Sequence, residues 1–138
     1  MIMTDEKVIN YLKEANLLGN NNEYFMGAIL PNLKNQAMFG YFAGLFQDFS
    51  GYIINQTESG IGIIPLNNIS GKPMINNACF LPQSNIMNVN IQKGGLFFYK
   101  KISITDTNNQ TITFKVVKKV LTIKKHKENL RNFIMRYQ

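Results

Sequence analysis

One cysteine, one histidine and two arginines are all the chain has of three residue types on which sites are often built. Cys79, being alone, excludes a disulfide framework and fits a reducing compartment. With His126 as the only imidazole, Cys and His ligands cannot assemble a metal site. Arg131 and Arg136 are few for base-edge readout or stacking on nucleic acid, and no helix-turn-helix or RNA-platform pattern appears. Acids are scarce as well, eight in all. Asp48, Glu58, Asp106 and Glu128 stand apart, with no paired carboxylates for acid–base work. Gly60-Ile-Gly62 and Gly94-Gly95 lack the strand–loop–helix context of a phosphate cradle. The most apolar run, Ala37–Leu45, is far below the roughly 20 residues that cross a bilayer. The N-terminus carries no signal-peptide pattern. The expectation is a cytoplasmic protein that is not an enzyme, with no catalytic residue, cofactor or metal.

What is present is enough for one domain: 138 residues, 45% of them hydrophobic. Asparagine is overused, at 19 residues, many in turn-like clusters such as Asn20–Asn22 and Asn76-Asn77. Such enrichment is what an AT-rich genome gives, and suggests a bacterial or phage source. Charge is uneven along the chain. Residues 1–70 hold three lysines against six acids, and residues 71–138 hold twelve basic residues against two, so the halves carry −3 and +10. Such asymmetry suits an acidic partner, whether protein, anionic membrane or nucleic acid.

Periodicity predicts a helix over 4–18, with Thr4 as its cap, Val8, Tyr11, Leu12 and Ala15 as its apolar face, and Gly19 as its left-handed exit. Strands are expected over 24–33, 36–46, 51–57 and 61–66. A broken strand follows over 78–81 and 86–92, then the hairpin 96–105 and 110–117 about the turn Asp106–Asn109. In the second of these, Gly40 and Gly44 would let a strongly bent strand turn a corner. Ile102 and Ile104 alternate with Ser103 and Thr105, as Ile112, Phe114 and Val116 do with Thr111, Thr113 and Lys115, giving one buried and one wet face. A closing helix over 125–137 offers Leu130, Phe133, Ile134 and Tyr137. The fold class is mainly β (α+β), one domain over 1–138, with a β-sandwich over 23–118 between the two helices.

Phe80-Leu-Pro-Gln-Ser-Asn-Ile86 with Val89-Asn-Ile91, the hairpin Ile102–Val116 and the helix from His126 to Phe133 resemble the pleckstrin-homology (PH) domains of the bacterial YokE-like type. The likeness covers nearly the whole chain through order and spacing. A basic step that this family carries on entering its third strand is absent from Phe49–Ile53. The resemblance implies a seven-stranded antiparallel sandwich or partly open barrel capped by the last helix, with an extra N-terminal helix. It also implies an interaction module, in some members a self-assembling one. Specific phosphoinositide recognition needs several cations in the first hairpin, and Pro31–Gln36 offers Lys34 alone.

The candidate site is Lys115, Lys118, Lys119, Lys124, Lys125 and Lys127, late in the last strand and at the start of the last helix. Lysines there oppose the helix dipole, a broken local rule that points to function. Two readings stand side by side: an anionic-surface site, and long stems covering the sheet end while the heads stay wet. The leading expectation is a non-catalytic module binding a protein partner or a second copy, with Tyr41, Phe46 or Phe98 as outward apolar contacts. Peripheral association with anionic lipid at the inner membrane face is the alternative. Non-specific nucleic-acid binding comes third. His126 reads as a solvated residue at a helix start, and Cys79 as a small buried hydrophobe.

Overall fold

The computed structural model describes residues 1–29, 40–45, 49–94 and 98–138. Helix α1 (Asp5–Glu14) leads into β1 (Glu23–Ile29), and a short 3₁₀ segment, Gly40–Leu45, precedes β2 (Phe49–Gln56). There follow β3 (Gly60–Asn67), β4 (Cys79–Pro82), β5 (Ile86–Gly94), β6 (Tyr99–Asp106) and β7 (Thr111–Val117), and α2 (His126–Tyr137) closes the described order. Among the described residues the seven strands make one antiparallel sheet in the order β4-β3-β2-β1-β7-β6-β5, open between β4 and β5. This is the mainly β class with helices at both ends.

Among the described residues the seven strands are a different set from the expected one. Gly40–Leu45 is 3₁₀, not strand, and buries Phe42 and Leu45 in the core. Gly40 has φ 72°, and a Cβ on Gly44 would lie 3.3 Å from the Asn77 carbonyl oxygen. These glycines therefore serve a tight turn and a close approach rather than a bent strand. The expected broken strand is two strands, β4 and β5, separated by a 3₁₀ turn over Gln83–Asn85. The first hairpin, Pro31–Gln36 with Lys34, lies outside the described residues, as does Phe46.

β1 carries the architecture because it changes partner midway. Its first part, Glu23 to Gly27, pairs with β2, and Ala28 and Ile29 pair with Lys115 and Phe114 of β7. The sheet bends at this switch and its two halves enclose the main core. Phe25, Tyr52, Ile54, Ile61, Ile63, Ile102, Ile104, Phe114 and Phe133 meet there. Phe133 of α2 stacks edge-on against Phe25, centroids 5.0 Å apart, so α2 packs into the open end of the fold.

A second cluster lies on the outside of β1–β3, where α1 sets Val8 and Leu12 against Tyr24, Ile53, Ile64 and Ile123. These strands are therefore buried on both faces, and Ile53-Ile54 and Ile63-Ile64 are doublets for that reason. The expected wet face of β6 and β7 is only partly wet: Ser103 meets Thr113, which is buried, and Thr105 meets Thr111, each hydroxyl pair at 2.8 Å. Thr4 caps α1 by accepting from the Lys7 N–H. The left-handed exit is Asn16, φ 58°, and not Gly19.

Candidate interaction site

After Val117 the chain leaves the sheet, turns at Val120–Ile123 and enters α2. Val120 and Ile123 close that turn by a backbone bond, leaving Leu121 at its apex, 81% exposed. Ile123 points the other way, into the cluster under α1.

α2 has no side-chain cap of its own on Lys125. Asp5, 119 residues earlier, supplies the anion instead: its carboxylate accepts from the Lys124 N–H at 2.6 Å and the Lys125 N–H at 3.1 Å. It also accepts the Tyr24 hydroxyl at 2.7 Å. Partial burial pulls the Asp5 carboxyl up, but these bonds outweigh it and hold it below the ordinary value of 3.8. The lysines that oppose the helix dipole are thus offset by a carboxylate from α1. The broken local rule has a structural answer in Asp5.

His126 is fully buried rather than solvated, correcting the sequence reading. The ring sits where β1 and β7 part. Its Nδ1 accepts the Met26 N–H at 3.2 Å, and Nε2 lies 2.7 Å from the Val117 carbonyl oxygen. Nδ1 can accept only when unprotonated, so Nε2 carries the hydrogen and donates. In the β1–β7 register, Ala28 opposite Lys115 puts Met26 opposite Val117. The imidazole therefore spans the gap between backbone groups that a continued ladder would have paired. Burial holds its pKa below 6.5, against a smaller upward pull from the Val117 carbonyl.

The six lysines do not form one cluster. Lys115 projects from the outer face of β7, its Nζ 4.7 Å from the Tyr99 ring centroid, and faces Lys101 across the ladder. Lys119, Lys124 and Lys125 are exposed along the link. Lys118 and Lys127 alone converge, on an open groove of about 420 Å³ beside α2. Its other cations are Lys100 and Arg131, and its floor is Leu130, Ile134 and Met135.

Those two further cations had readable signals. Lys100 falls in the alternation of Ile102 and Ile104, on the core face of β6, and Arg131 is one helical turn past Lys127. Met135, 66% exposed, interrupts the polar side of α2. Of the expected outward apolar residues, Phe98 is 72% exposed, whereas Tyr41 is half-buried against the core.

A second, polar cavity of about 230 Å³ lies among Asn21, Glu23, Gln56, Thr57, Glu58 and Arg136. Its groups are engaged in the fold. Arg136 pairs with Glu23 at 2.8 Å, Tyr137 donates to Gln56, and Glu58 accepts from the Asn20 and Asn21 N–H groups. Burial pushes the thiol of half-buried Cys79 up to about 12, which keeps it protonated. Among the described residues no three His, Cys, Asp or Glu side chains come together as metal ligands, and no helix is long and apolar enough to cross a membrane. Compared with models of protein families, with curated proteins and with solved structures, the chain matches none.

Proposed function

We propose that the chain is a non-catalytic, PH-like interaction module that binds a protein partner through the face of α2 that the sheet leaves uncovered. The observation that carries this reading is the open groove floored by Leu130, Ile134 and Met135. Leu130 and Ile134 form the rim of the packed side of α2, and Met135, 66% exposed, extends that apolar surface toward solvent, which marks a contact surface. The test is a photo-crosslinking residue at position 135, with position 14 on the exposed side of α1 as control, in the chain's own host. A discrete protein adduct from 135 and none from 14 supports the reading. Equal yields from both, or none from 135, overturns it. Sedimentation velocity separates a second copy from a different partner.

A second reading, peripheral contact with anionic membrane, draws on Leu121. This exposed residue stands at the tip of a turn flanked in the chain by exposed Lys118, Lys119, Lys124 and Lys125. Each lysine near an anionic leaflet contributes about 1 kcal/mol. Salt-sensitive flotation with phosphatidylglycerol vesicles, lost in Leu121→Asp, is the expected result. Flotation unchanged by that substitution rules this turn out as the contact.

A further inference from the structure

Resting on the reading of α2 as a protein-contact face, we infer that the groove beside α2 takes an acidic amphipathic helix. Three features of the groove select that occupant.

The first is charge. Lys100, Lys118, Lys127 and Arg131 line the groove, and no acidic side chain does so among the described residues. None of the four makes an ion pair or side-chain hydrogen bond with a described residue, whereas Arg136, on the same helix, is held by Glu23. Four cations left open around an apolar floor suit a segment with carboxylates flanking an apolar stripe.

The second is the backbone. A strand adding itself to a sheet needs a free edge of N–H and C=O groups. β6 is paired on both sides, by β5 and β7, and among the described residues the edges of the sheet are β4 and β5. The Val117 carbonyl, freed where β7 leaves β1, is occupied by His126. The groove therefore offers side chains and almost no backbone, so its occupant must satisfy its own backbone hydrogen bonds, as a helix does.

The third is length. From Lys127 to Gln138 the lining of α2 spans about 16 Å at about 1.5 Å per residue, room for about three turns of a partner helix. The apolar floor gives such a helix its buried contact, and the four cations fix its polarity and register. The same surface disfavours basic amphipathic helices through like-charge contact.

The test is selection of displayed random 16-residue peptides on the full chain, followed by anisotropy with the enriched peptides. Enriched sequences are expected to carry Asp or Glu and apolar residues at helical spacing. Their affinity should fall about tenfold or more in Lys127→Glu/Arg131→Glu, and fall further with added salt. Both positions are exposed, and Lys127 lies in the first helical turn, where Glu suits the dipole, so this variant keeps its fold. Met135→Ser should weaken the same peptides without changing their salt dependence. Enriched peptides without acidic character, or binding indifferent to the double reversal, overturn the inference. So does the absence of enrichment, or phosphatidylglycerol vesicles competing fully for the groove. An adduct from position 135 with charge-indifferent peptides leaves the protein-contact reading standing and removes the acidic helix alone.

Discussion

The two helices are built on opposite plans. α1 begins with Thr4 accepting the Lys7 N–H and with Asp5 and Glu6 in its first turn, all within seven residues of sequence. α2 begins among Lys124, Lys125 and Lys127, and draws its anion from Asp5 of α1. α1 lies on the outside of β1–β3 over a smaller cluster, and α2 drives Phe133 into the main core. The difference teaches that α1 is locally specified, whereas α2 depends on contacts with distant chain. Asn129 tells the same story, donating to the Tyr24 carbonyl from a buried position.

The sharpest way to break this asymmetry is to remove the α2 anchor. Phe133→Ala empties a fully buried site against Phe25 and should cost about 3–5 kcal/mol, read as a lower urea midpoint. An equal loss from Leu12→Ala on α1 would show that the two helices contribute alike, and a smaller one is expected.

Next comes the histidine that bridges β1 and β7. His126→Ala leaves the Met26 N–H and the Val117 carbonyl without their partner, a loss of about 1–3 kcal/mol. The wild-type chain also carries a pH signature. Because the folded pKa lies below 6.5, the contribution of His126 is fully present above that value. It is lost as pH falls from there toward the lower folded value, with a slope of at most about 1.4 kcal/mol per pH unit. Charging the ring removes the acceptor that Met26 needs. Urea midpoints between pH 7.5 and 5 should fall in the wild type and stay flatter in His126→Gln.

The smallest effect tests the link between the helices. Asp5→Asn keeps the shape but weakens the bonds to Lys124 and Lys125, costing about 1 kcal/mol after allowance for solvent at this half-buried position. The carboxyl of Asp5 is held low, so its share of stability is present above the ordinary 3.8 and is lost as pH falls below it. Amide exchange at the start of α2 should quicken more than exchange within α1. Uniform quickening would show that α2 does not lean on this carboxylate.

Much of this could be read from local pattern. Thr4, the α1 face, the Glu58–Gly60 loop and the alternation of β6 and β7 follow from short-range rules. Gly60 illustrates why: at φ 149° with the Leu81 carbonyl against its Cα, only glycine fits the turn. Gly40–Leu45 misled because its aromatic-rich stretch has the composition of a strand, while Gly40 at φ 72° and packing on the core select a 3₁₀ turn. His126 misled because its neighbours are lysines, and nothing within ten residues announces the gap it fills. In the candidate site, Lys118 and Lys127 were legible as charges and Arg131 by its helical spacing from Lys127, but that Lys100 shares a groove with them was decided by the tertiary fold.

By itself the sequence determined most of the segment types, the alternation that sets Ile102, Ile104, Ile112, Phe114 and Val116 on the core face of β6 and β7, and the concentration of positive charge in the second half. Those depend on neighbours a few residues apart, where steric and hydrogen-bonding rules act. Tertiary structure alone decided which lysines meet, which carboxylate caps α2, and that a lone imidazole joins two strands. Each of these is a contact between residues about 9 to 120 positions apart, set by how β1 divides its edge between β2 and β7.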